Sequence, residues 1–415
     1  MQIKSEQFDV IVIGGGASGM MAAGRAAERG KRVLLLEKNT HLGEKLKITG
    51  GGRCNITNAE FNTHDLLAHY GQQAKFLASP FSQFGVRSVF TFFESRGLPL
   101  IVEDRKRAFP QTQKALDVCR AMEKYLKETR VTVRMGARVT RVIAEARKVF
   151  GVECADRVYA AGSVVLATGG VSYPKTGSTG DGFAWLRALG HTVKTPTPTI
   201  VPLAVREPWV KALAGATLTQ AKITFFTDGK KQFSRAGSIL FTHFGISGPT
   251  ILNSADRVSD MLQAGLVTAT IDAFPAFDVG SLDAHIRTTL DANKNRNLKN
   301  VFKDIAPLGM SALLTSVFSD VKPETKVHSI TKEQRKAMAK KLKALPVTIT
   351  HLMGFDRAVV ADGGIVLTEM DMKTMRSLLF DNLYITGDLL HVRRPSGGYS
   401  LQLSWTTGYV AGSQC

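Results

Sequence analysis

The sequence predicts an α/β protein in which a domain built on a parallel sheet is interrupted by an inserted domain. Three observations predict this organisation. The N-terminus reads as strand, glycine turn, helix and strand, which is the pattern of a parallel βαβ unit. Clustered prolines in "TVKTPTPTIVPLAV" mark a boundary, and short β-like runs and Lys/Arg-rich helical segments follow it. A late strand and helix then return to the first pattern, so we expect domains at 1–192, 193–350 and 351–415, the first and last forming one nucleotide-binding unit.

The chain has 415 residues, enough for two or three packed units at roughly 100–200 residues each. It carries 54 Lys and Arg against 35 Asp and Glu, a formal net charge of +19. Such an excess favours a polyanionic partner or an anionic cofactor, although a basic but inert surface would have the same composition.

Cysteine usage and the N-terminus indicate the compartment. The four cysteines include no Cys-x-x-Cys pair, which points to a reducing environment and away from a structural zinc site or a redox disulfide. The apolar run after "MQIKSEQ" is broken by glycines and is far shorter than the ~20 residues of a membrane span. It is also unlike a cleavable signal, so we expect a cytoplasmic protein with no membrane association.

The first glycine cluster, "IVIGGGASG", has the spacing of a dinucleotide-binding turn. Gly14 permits the tight turn, Gly16 lets the backbone approach a pyrophosphate, and Gly19 lets the helix pack closely on the strand. The pyrophosphate is expected on the free N–H groups at the positive end of the helix, at Ala17 and Ser18. Glu37, with Lys38 beside it, ends the next strand and is expected to accept hydrogen bonds from the adenosine ribose. The acid favours FAD or NAD over NADP.

A late strand decides between FAD and NAD. FAD enzymes of the glutathione-reductase type carry a strand like "LYITGD" near the C-terminus, and its aspartate holds the ribityl chain of the flavin. Here those residues are Gly387 and Asp388. The alternating runs "VTVRMGARVTRVI", "VFGVECA" and "DRVYAA" predict an antiparallel meander, and "LATGG" follows it in the order expected of that class. FAD is therefore the expected cofactor, with further contacts at Val139, Thr168, Gly169, Gly398, Tyr399, Ser400 and Leu401.

The second glycine cluster, "LKITGGGRCNITN", is expected to pass the isoalloxazine end of FAD. Its glycines let main-chain atoms approach the flat ring, while Lys45 or Arg53 stabilises negative charge on reduced flavin or on the pyrophosphate. The alternative is a flexible surface loop, but Arg-Cys-Asn is not typical of a linker. The expected contacts in this segment are Lys45, Thr49, Gly51, Gly52, Arg53, Cys54 and Asn55.

At these motifs the chain resembles the BaiN/RdsA-type flavoproteins, also called aminoacetone-oxidase-like FAD enzymes. The matching stretches include "IVIGGGASGMMAA", "GEKLKITGGGRCNITN", "LATGGVSYPKTGSTGDGF", "LFTHFGISGPTIL" and "GGYSLQLSWTTGYVAG". The resemblance implies a Rossmann-like FAD domain of glutathione-reductase type in two parts, and an inserted β-barrel-like domain with a helical section. This chain departs from the family pattern by Asp388 for a usual Glu, His391 for an Asp, Ser400 for an Asn, and the added pair Arg393 and Arg394.

The resemblance also implies a choice of reactions. Family members reduce a uridine of ribosomal RNA to dihydrouridine, reduce conjugated enones of the bile-acid type, or oxidise aminoacetone. The first two share hydride delivery to the β-carbon of a C=C bond conjugated to a carbonyl, followed by protonation of the α-carbon. With no second glycine fingerprint in the sequence, NADH or NADPH is expected to visit the flavin only transiently.

The charge favours RNA as the partner, because a small amine or steroid does not require +19. A small-molecule oxidoreductase and a non-catalytic flavin-bearing RNA-binding module remain as alternatives. The basic runs expected to contact RNA are Arg105–Arg107, Lys230–Lys231, Lys294–Lys303, Arg335–Lys343 and Arg393–Arg394. The candidate proton donors are His243, Cys54 and Tyr399, with His391 as a further possibility.

Overall fold

The computed structural model describes residues 6–155, 157–307, 309–318 and 320–415. They divide into two units, one holding the residues up to Thr197 together with Val359–Cys415, the other Pro198–Ala358. The boundaries expected from the sequence, after 192 and 350, lie a few residues earlier. The strand Val193–Pro198 pairs with Ala361–Ile365, which accounts for the first difference, and Leu345–Leu352 is a barrel strand, which accounts for the second.

The strands and helices are numbered in chain order. The strands are β1 (Glu6–Ile13), β2 (Val33–Leu36), β3 (Thr57–Asn58), β4 (Leu100–Glu103), β5 (Arg107–Pro110), β6 (Thr132–Arg134), β7 (Val139–Glu145), β8 (Lys148–Cys154), β9 (Val158–Leu166), β10 (Val193–Pro198), β11 (Leu203–Val205), β12 (Thr217–Thr227), β13 (Lys230–Thr242), β14 (Gly245–Ser247), β15 (Val267–Asp272), β16 (Leu345–Leu352), β17 (Ala361–Ile365), β18 (Met370–Asp371), β19 (Arg376–Ser377) and β20 (Leu383–Ile385). The helices are α1 (Ala17–Glu28), α2 (Glu44–Ile48), α3 (Thr63–Ala68), α4 (Ala74–Gln83), α5 (Val86–Glu94), α6 (Ala115–Glu128), α7 (Asp181–Ala188), α8 (Pro208–Ala212), α9 (Pro249–Leu252), α10 (Ala255–Ala264), α11 (Val279–Asp291), α12 (Leu298–Ile305), α13 (Leu313–Ser316), α14 (Lys332–Lys343) and α15 (Tyr399–Gln414).

The first unit is built on a sheet with the order β18-β19-β20-β9-β1-β2-β6. Its centre is parallel, since β1 pairs in parallel with β2 and β9, and β20 pairs in parallel with β9. The middle strands are buried on both faces, as the continuous apolar runs of β1 and β2 require. The carboxyl ends of these strands therefore meet at one edge, where a ligand site is expected in an open parallel sheet.

The antiparallel extension of this sheet differs in one detail from the sequence-based expectation. β8 pairs with β7 and with the start of β9, as the meander predicts. The sequence predicts that the whole run "VTVRMGARVTRVI" belongs to the meander. This is wrong for its beginning, because β6 pairs in parallel with β2. Asp156, in the third run, lies outside the described residues.

Helices α1 and α15 pack closely against each other beside the sheet. A Cβ at Gly408 would lie 2.3 Å from the Ser18 carbonyl oxygen, and one at Gly412 would lie 2.3 Å from that of Ala22. The two glycines therefore let the backbone of the second half of α15 approach that of α1.

The second unit contains a closed barrel with the order β11-β14-β13-β12-β15-β16. Inward-facing residues alternate along its strands, as in β15, where Val267, Ala269 and Ile271 are buried. Helices α11 to α14 belong to the same unit, and their apolar residues join the same hydrophobic core. The fold class predicted from the sequence is confirmed. In the described ranges, no helix is both long and apolar enough to cross a membrane.

Candidate cofactor site

A cavity lies in the first unit at the carboxyl ends of β1, β2 and β9. Most of the residues expected to bind the cofactor line it. These are Gly14, Gly16, Ala17, Ser18, Glu37, Lys38, Lys45, Thr49, Val139, Thr168, Gly169, Asp388, Ser400 and Leu401. Gly19, Gly51, Gly52, Arg53, Cys54, Asn55, Gly387, Gly398 and Tyr399 are not among the described residues of its lining.

The three glycines of the first turn are required for different reasons. Gly14 has φ +104°, and a Cβ there would lie 2.5 Å from the Ala167 carbonyl oxygen. A Cβ at Gly19 would lie 1.8 Å from the carbonyl oxygen of Gly14. Gly16 has an ordinary φ of −84°, lines the cavity, and its Cβ would meet no atom within 4 Å. Packing of the protein thus explains Gly14 and Gly19, whereas the missing side chain at Gly16 leaves room for a ligand.

The N-terminus of α1 opens onto this space. Gly16 is the N-cap residue, no side chain caps the helix, and its first turn holds no acidic residue. The first N–H groups of an α-helix have no acceptor within the helix, so those at Ala17 and Ser18 are suited to bind an anion. A pyrophosphate fits this end of the cavity.

Glu37 is held at the end of β2 by two backbone hydrogen bonds. Its Oε2 accepts from the Gly15 N–H at 2.7 Å, and its Oε1 accepts from the Asn39 N–H at 2.8 Å. Each carboxylate oxygen keeps a lone pair for a further donor, such as a ribose hydroxyl. The structure therefore gives Glu37 a fixed orientation in the cavity wall.

The segment Thr176–Asp181 contributes lining residues that sequence reasoning missed. The Lys38 Nζ donates to Asp181 Oδ2 at 2.8 Å and to Thr179 Oγ1 at 2.5 Å. The Asn39 side-chain amide donates to the Thr176 carbonyl oxygen at 3.1 Å. These bonds link the segment to the end of β2. The glycines of "KTGSTGDG" were the available signal for a close backbone approach.

Lys45, Asp388 and Ser400 also line the cavity. The Lys45 Nζ donates to Ser172 Oγ at 3.2 Å. Burial lowers the pKa of the Lys45 ammonium group; Asp388 acts against this shift, and Arg394 adds to it. Of the two cations expected near the flavin, Lys45 thus lines the cavity, near the Asp388 carboxylate and the Arg394 guanidinium group.

The sequence also predicts Arg53 as a cation that stabilises negative charge on the cofactor, but Arg53 is not among the described lining residues of the cavity. Its guanidinium group donates to Gln113 and pairs with Glu103, and it lies 4.1 Å from the centre of the Phe109 ring. Gly51 and Gly52 are exposed and have positive φ. Asn55, in the amide orientation that satisfies its neighbours, accepts from the Gly398 N–H at 3.0 Å. The second glycine cluster thus contributes Lys45 and Thr49 to the cavity and supports the start of α15 through Asn55.

The candidate proton donors lie in different surroundings. Cys54 is fully buried, and burial raises its pKa to about 12, which makes its thiol a weak acid. Tyr399 is also buried, with its ring against His69, and burial raises its pKa to about 12. Burial and then the charge of Lys194 lower the pKa of His391, which keeps its imidazole neutral near pH 7. His243 belongs to the second unit, where it is exposed after β13 with its ring edge-on to Phe244.

The glycine turn, the fixed acid after β2 and the cavity at the strand ends define a dinucleotide-binding protein with a flavoenzyme fold. The family model described as "HI0933-like protein Rossmann domain" matches residues 8–414. The chain belongs to this family of FAD-dependent oxidoreductases.

Two relatives and one solved structure illustrate the similarity. The chain is 31% identical over 406 residues to the 3-dehydro-bile acid delta(4,6)-reductase of Clostridium scindens, covering 97% of each chain. It is 26% identical over 414 residues to the ribosomal RNA dihydrouridine synthase of Escherichia coli, covering 98% of this chain and 97% of the relative. The 3-ketosteroid-delta4-(5alpha)-dehydrogenase of Rhodococcus jostii aligns with a TM-score of 0.55 at 14% identity, covering 99% and 96% of the two chains, and is similar in fold.

Proposed function

We propose that this protein uses FAD and NADH or NADPH to reduce a C=C bond conjugated to a carbonyl, and that its substrate is a uridine of ribosomal RNA. Dihydrouridine is the product. FAD, when bound, supplies hydride transfer. The nicotinamide is the electron donor and leaves oxidised, so one hydride and one proton are added to the C5=C6 bond of the base.

The cavity residues fit FAD from one end to the other. The N–H groups of Ala17 and Ser18, next to the open space at Gly16, are suited to the pyrophosphate. Glu37 is held with free lone pairs for the adenosine ribose. Lys45 and Asp388 add one cation and one carboxylate to the cavity wall, and we assign the ribityl chain and the ring to the part that they line.

The reaction needs a group that donates a proton to the α-carbon. Full burial and a raised pKa remove Cys54 from consideration. Tyr399 is a weak acid in its buried setting, with its pKa raised to about 12. We keep His243, an exposed residue of the second unit, as the proposed donor.

The basic surface of the second unit is the observation that favours RNA. Between Ser281 and Pro346 there are 13 Lys and Arg against 6 Asp and Glu. On α14 three exposed lysines recur every fourth residue and so lie along one face. We call this face the lysine stripe; its members are Lys332, Lys336 and Lys340. No salt bridge joins any of them to a described acidic residue, so their ammonium groups are available to phosphates.

Other basic residues expected to contact RNA are held within the protein. Arg335 forms a two-pronged bond to Asp283, at 2.8 and 3.0 Å. Lys341 donates to the Val317 carbonyl oxygen at 3.0 Å, and Lys343 pairs with Asp272 at 2.7 Å. The side chain of Arg394 is only 1% exposed, which excludes it from an RNA contact. These corrections confine the proposed contacts on α14 to the lysine stripe.

The comparisons support the shared chemistry and leave two substrate classes. The name of the Escherichia coli relative supports RNA, and that of the Clostridium scindens relative, at higher identity, supports a small conjugated enone as the second candidate. The net charge of +19 favours the polyanion.

An anaerobic comparison of reoxidation by each substrate distinguishes the two candidate substrate classes. The holoprotein is reduced with NADH and then mixed with ribosomal RNA from a strain that lacks it, or with a neutral steroid enone, while flavin absorbance is followed. We expect RNA to reoxidise the flavin faster. Faster reoxidation by the enone would give the small-molecule reaction first place, and no reoxidation by either would reject the proposed chemistry.

A further inference from the structure

Arg394 is a buried arginine that hydrogen-bonds two side chains of the cofactor cavity wall. It lies in the loop between β20 and α15. Its Nε donates to Ser400 Oγ at 2.9 Å, its Nη1 donates to the Val392 carbonyl oxygen at 2.5 Å, and its Nη2 pairs with Asp388 Oδ1. Its side chain is 1% exposed, against 20% for Asp388.

The two side chains that Arg394 holds both line the cavity, while Arg394 is not among the described lining residues. Asp388 follows β20, and Ser400 lies in the first turn of α15. The planar guanidinium group therefore joins the end of a central strand to the start of a helix from behind the cavity wall. A lysine ammonium group could not make these bonds in the same directions, because it lacks the fixed, planar arrangement of donors that a guanidinium group has.

Charge makes this arrangement consequential. The Asp388 carboxylate interacts with the charge of Lys45 and forms an ion pair with Arg394. Without the guanidinium group, the carboxylate is free to turn towards the Lys45 ammonium group, and the Ser400 hydroxyl loses its donor. The cavity would keep the same residues but lose the fixed orientation of two of them.

We propose that Arg394 is a positioning residue for the cofactor, holding the Asp388 carboxylate and the Ser400 hydroxyl in the orientation in which they meet the flavin end of FAD. The proposal rests on FAD as the cofactor of this cavity and is independent of the substrate. It assigns Arg394 to the protein interior and to FAD affinity, in place of the RNA contact expected from its charge.

The test is a double-mutant cycle in FAD affinity, measured by flavin fluorescence on apoprotein, with Arg394→Ala, Ser400→Ala and the pair. Arg394→Ala should weaken FAD binding about tenfold, a size typical of coupled neighbours. If Arg394 acts through Ser400, then Ser400→Ala should have less effect in the Arg394→Ala background than in wild type. Equal effects in both backgrounds, or wild-type affinity in Arg394→Ala, would overturn the proposal.

Arg394→Lys supplies a second readout and a variant that keeps the buried charge. It should weaken FAD binding while leaving the flavin reduction potential near that of wild type, because the positive charge stays and the fork is lost. Arg394→Ala, if folded, should shift the potential to a more negative value, since the Asp388 carboxylate in the cavity wall loses the cation that neutralises it. If Arg394→Lys binds FAD as wild type does, the fork geometry has no positioning role and the proposal fails. Holoprotein that binds FAD normally but does not reduce RNA would contradict the proposed substrate and leave this cycle unaffected.

Discussion

Replacing Gly16 with valine separates the needs of the fold from those of the cofactor. The Cβ of residue 16 would meet no protein atom within 4 Å, and the backbone at φ −84° and ψ −169° is extended, which valine adopts readily. Gly14 offers no such separation, because its Cβ would lie 2.5 Å from a carbonyl oxygen and its φ is +104°. Gly16→Val should therefore fold and should place its side chain in the space assigned to the pyrophosphate.

The expected loss of stability in Gly16→Val is much smaller than the expected loss of FAD affinity. Valine in place of an N-cap glycine costs a helix about 1 kcal/mol, and in a domain of 150–250 residues that lowers the melting temperature by only about 2–4 °C. Each hydrogen bond from a backbone N–H to a charged phosphate oxygen contributes about 1.5–3 kcal/mol. The loss of two would cost about 3–6 kcal/mol, or roughly a hundredfold to ten-thousandfold in the dissociation constant of FAD.

The assay is flavin content after purification, followed by reconstitution of apoprotein with FAD and a thermal melt. Wild type should be yellow and release FAD, not FMN, on denaturation, and Gly16→Val should be colourless yet cooperatively folded. Gly354→Val is the matched control, because Gly354 is exposed in the second unit, its Cβ has open space and its φ is ordinary. A folded Gly16→Val protein with wild-type flavin occupancy would refute the assignment of this space to the pyrophosphate.

Three further outcomes are expected. Reversing the lysine stripe to glutamate should weaken RNA binding and reduce the log–log salt slope by about 0.7–0.9 per lost phosphate contact, with flavin reduction by NADH unchanged; an unaltered slope would make the stripe an ordinary solvated face. The control carries the same charge change on α6, at the exposed residues Arg120, Lys124 and Lys127. His243→Gln should slow flavin reoxidation by substrate about 10²–10⁴-fold and spare reduction by NADH, as loss of a general acid predicts, and an unchanged reoxidation rate would exclude His243 as the donor. Burial raises the pKa of Glu369, but hydrogen bonds from Thr192 and His191 outweigh it and hold the pKa below 4.5. The stabilisation is therefore present above pH 4.5 and is lost as the pH falls through the lower folded-state pKa. When the pH is lowered below 4.5, the free energy of unfolding measured in urea should fall less for Glu369→Gln than for wild type. Equal decreases would contradict this role of the Glu369 carboxylate.

The sequence predicts the parts of the site that local chain geometry determines. The turn at Gly14–Gly19 and Glu37 after β2 belong to one βαβ unit, so their relative positions follow from short-range connections. Asp388 lies far along the chain, but its place after a late strand of the same sheet makes it predictable as well. The parallel pairing of β20 with β9 is what carries it to the cavity.

Side-chain direction is what the sequence does not show. Arg53 and Lys45 are both cations near the second glycine cluster, yet only Lys45 lines the cavity, because Glu103 and Gln113 hold Arg53. Glu103 and Gln113 come from a later stretch of the chain, so the sequence around Arg53 does not show that they bind its guanidinium group.

Three departures from the family pattern form one cluster in the structure. In the sequence, Asp388, Arg394 and Ser400 are three unconnected differences from the family pattern. In the structure, the guanidinium group of Arg394 hydrogen-bonds both Asp388 and Ser400. Charge alone assigned Arg394 to an RNA surface. Its burial reverses that interpretation, since a buried arginine is stabilised by partners inside the protein.

The most direct test of the proposed function is the dihydrouridine content of RNA after one anaerobic turnover. Ribosomal RNA from a strain lacking the protein is incubated with reduced holoprotein, digested to nucleosides and analysed by mass spectrometry. Gly16→Val protein serves as the flavin-free control. The account predicts dihydrouridine in amounts equal to the flavin reoxidised, and none with the control. Flavin reoxidation without dihydrouridine, or dihydrouridine at the same level with the control, would contradict it.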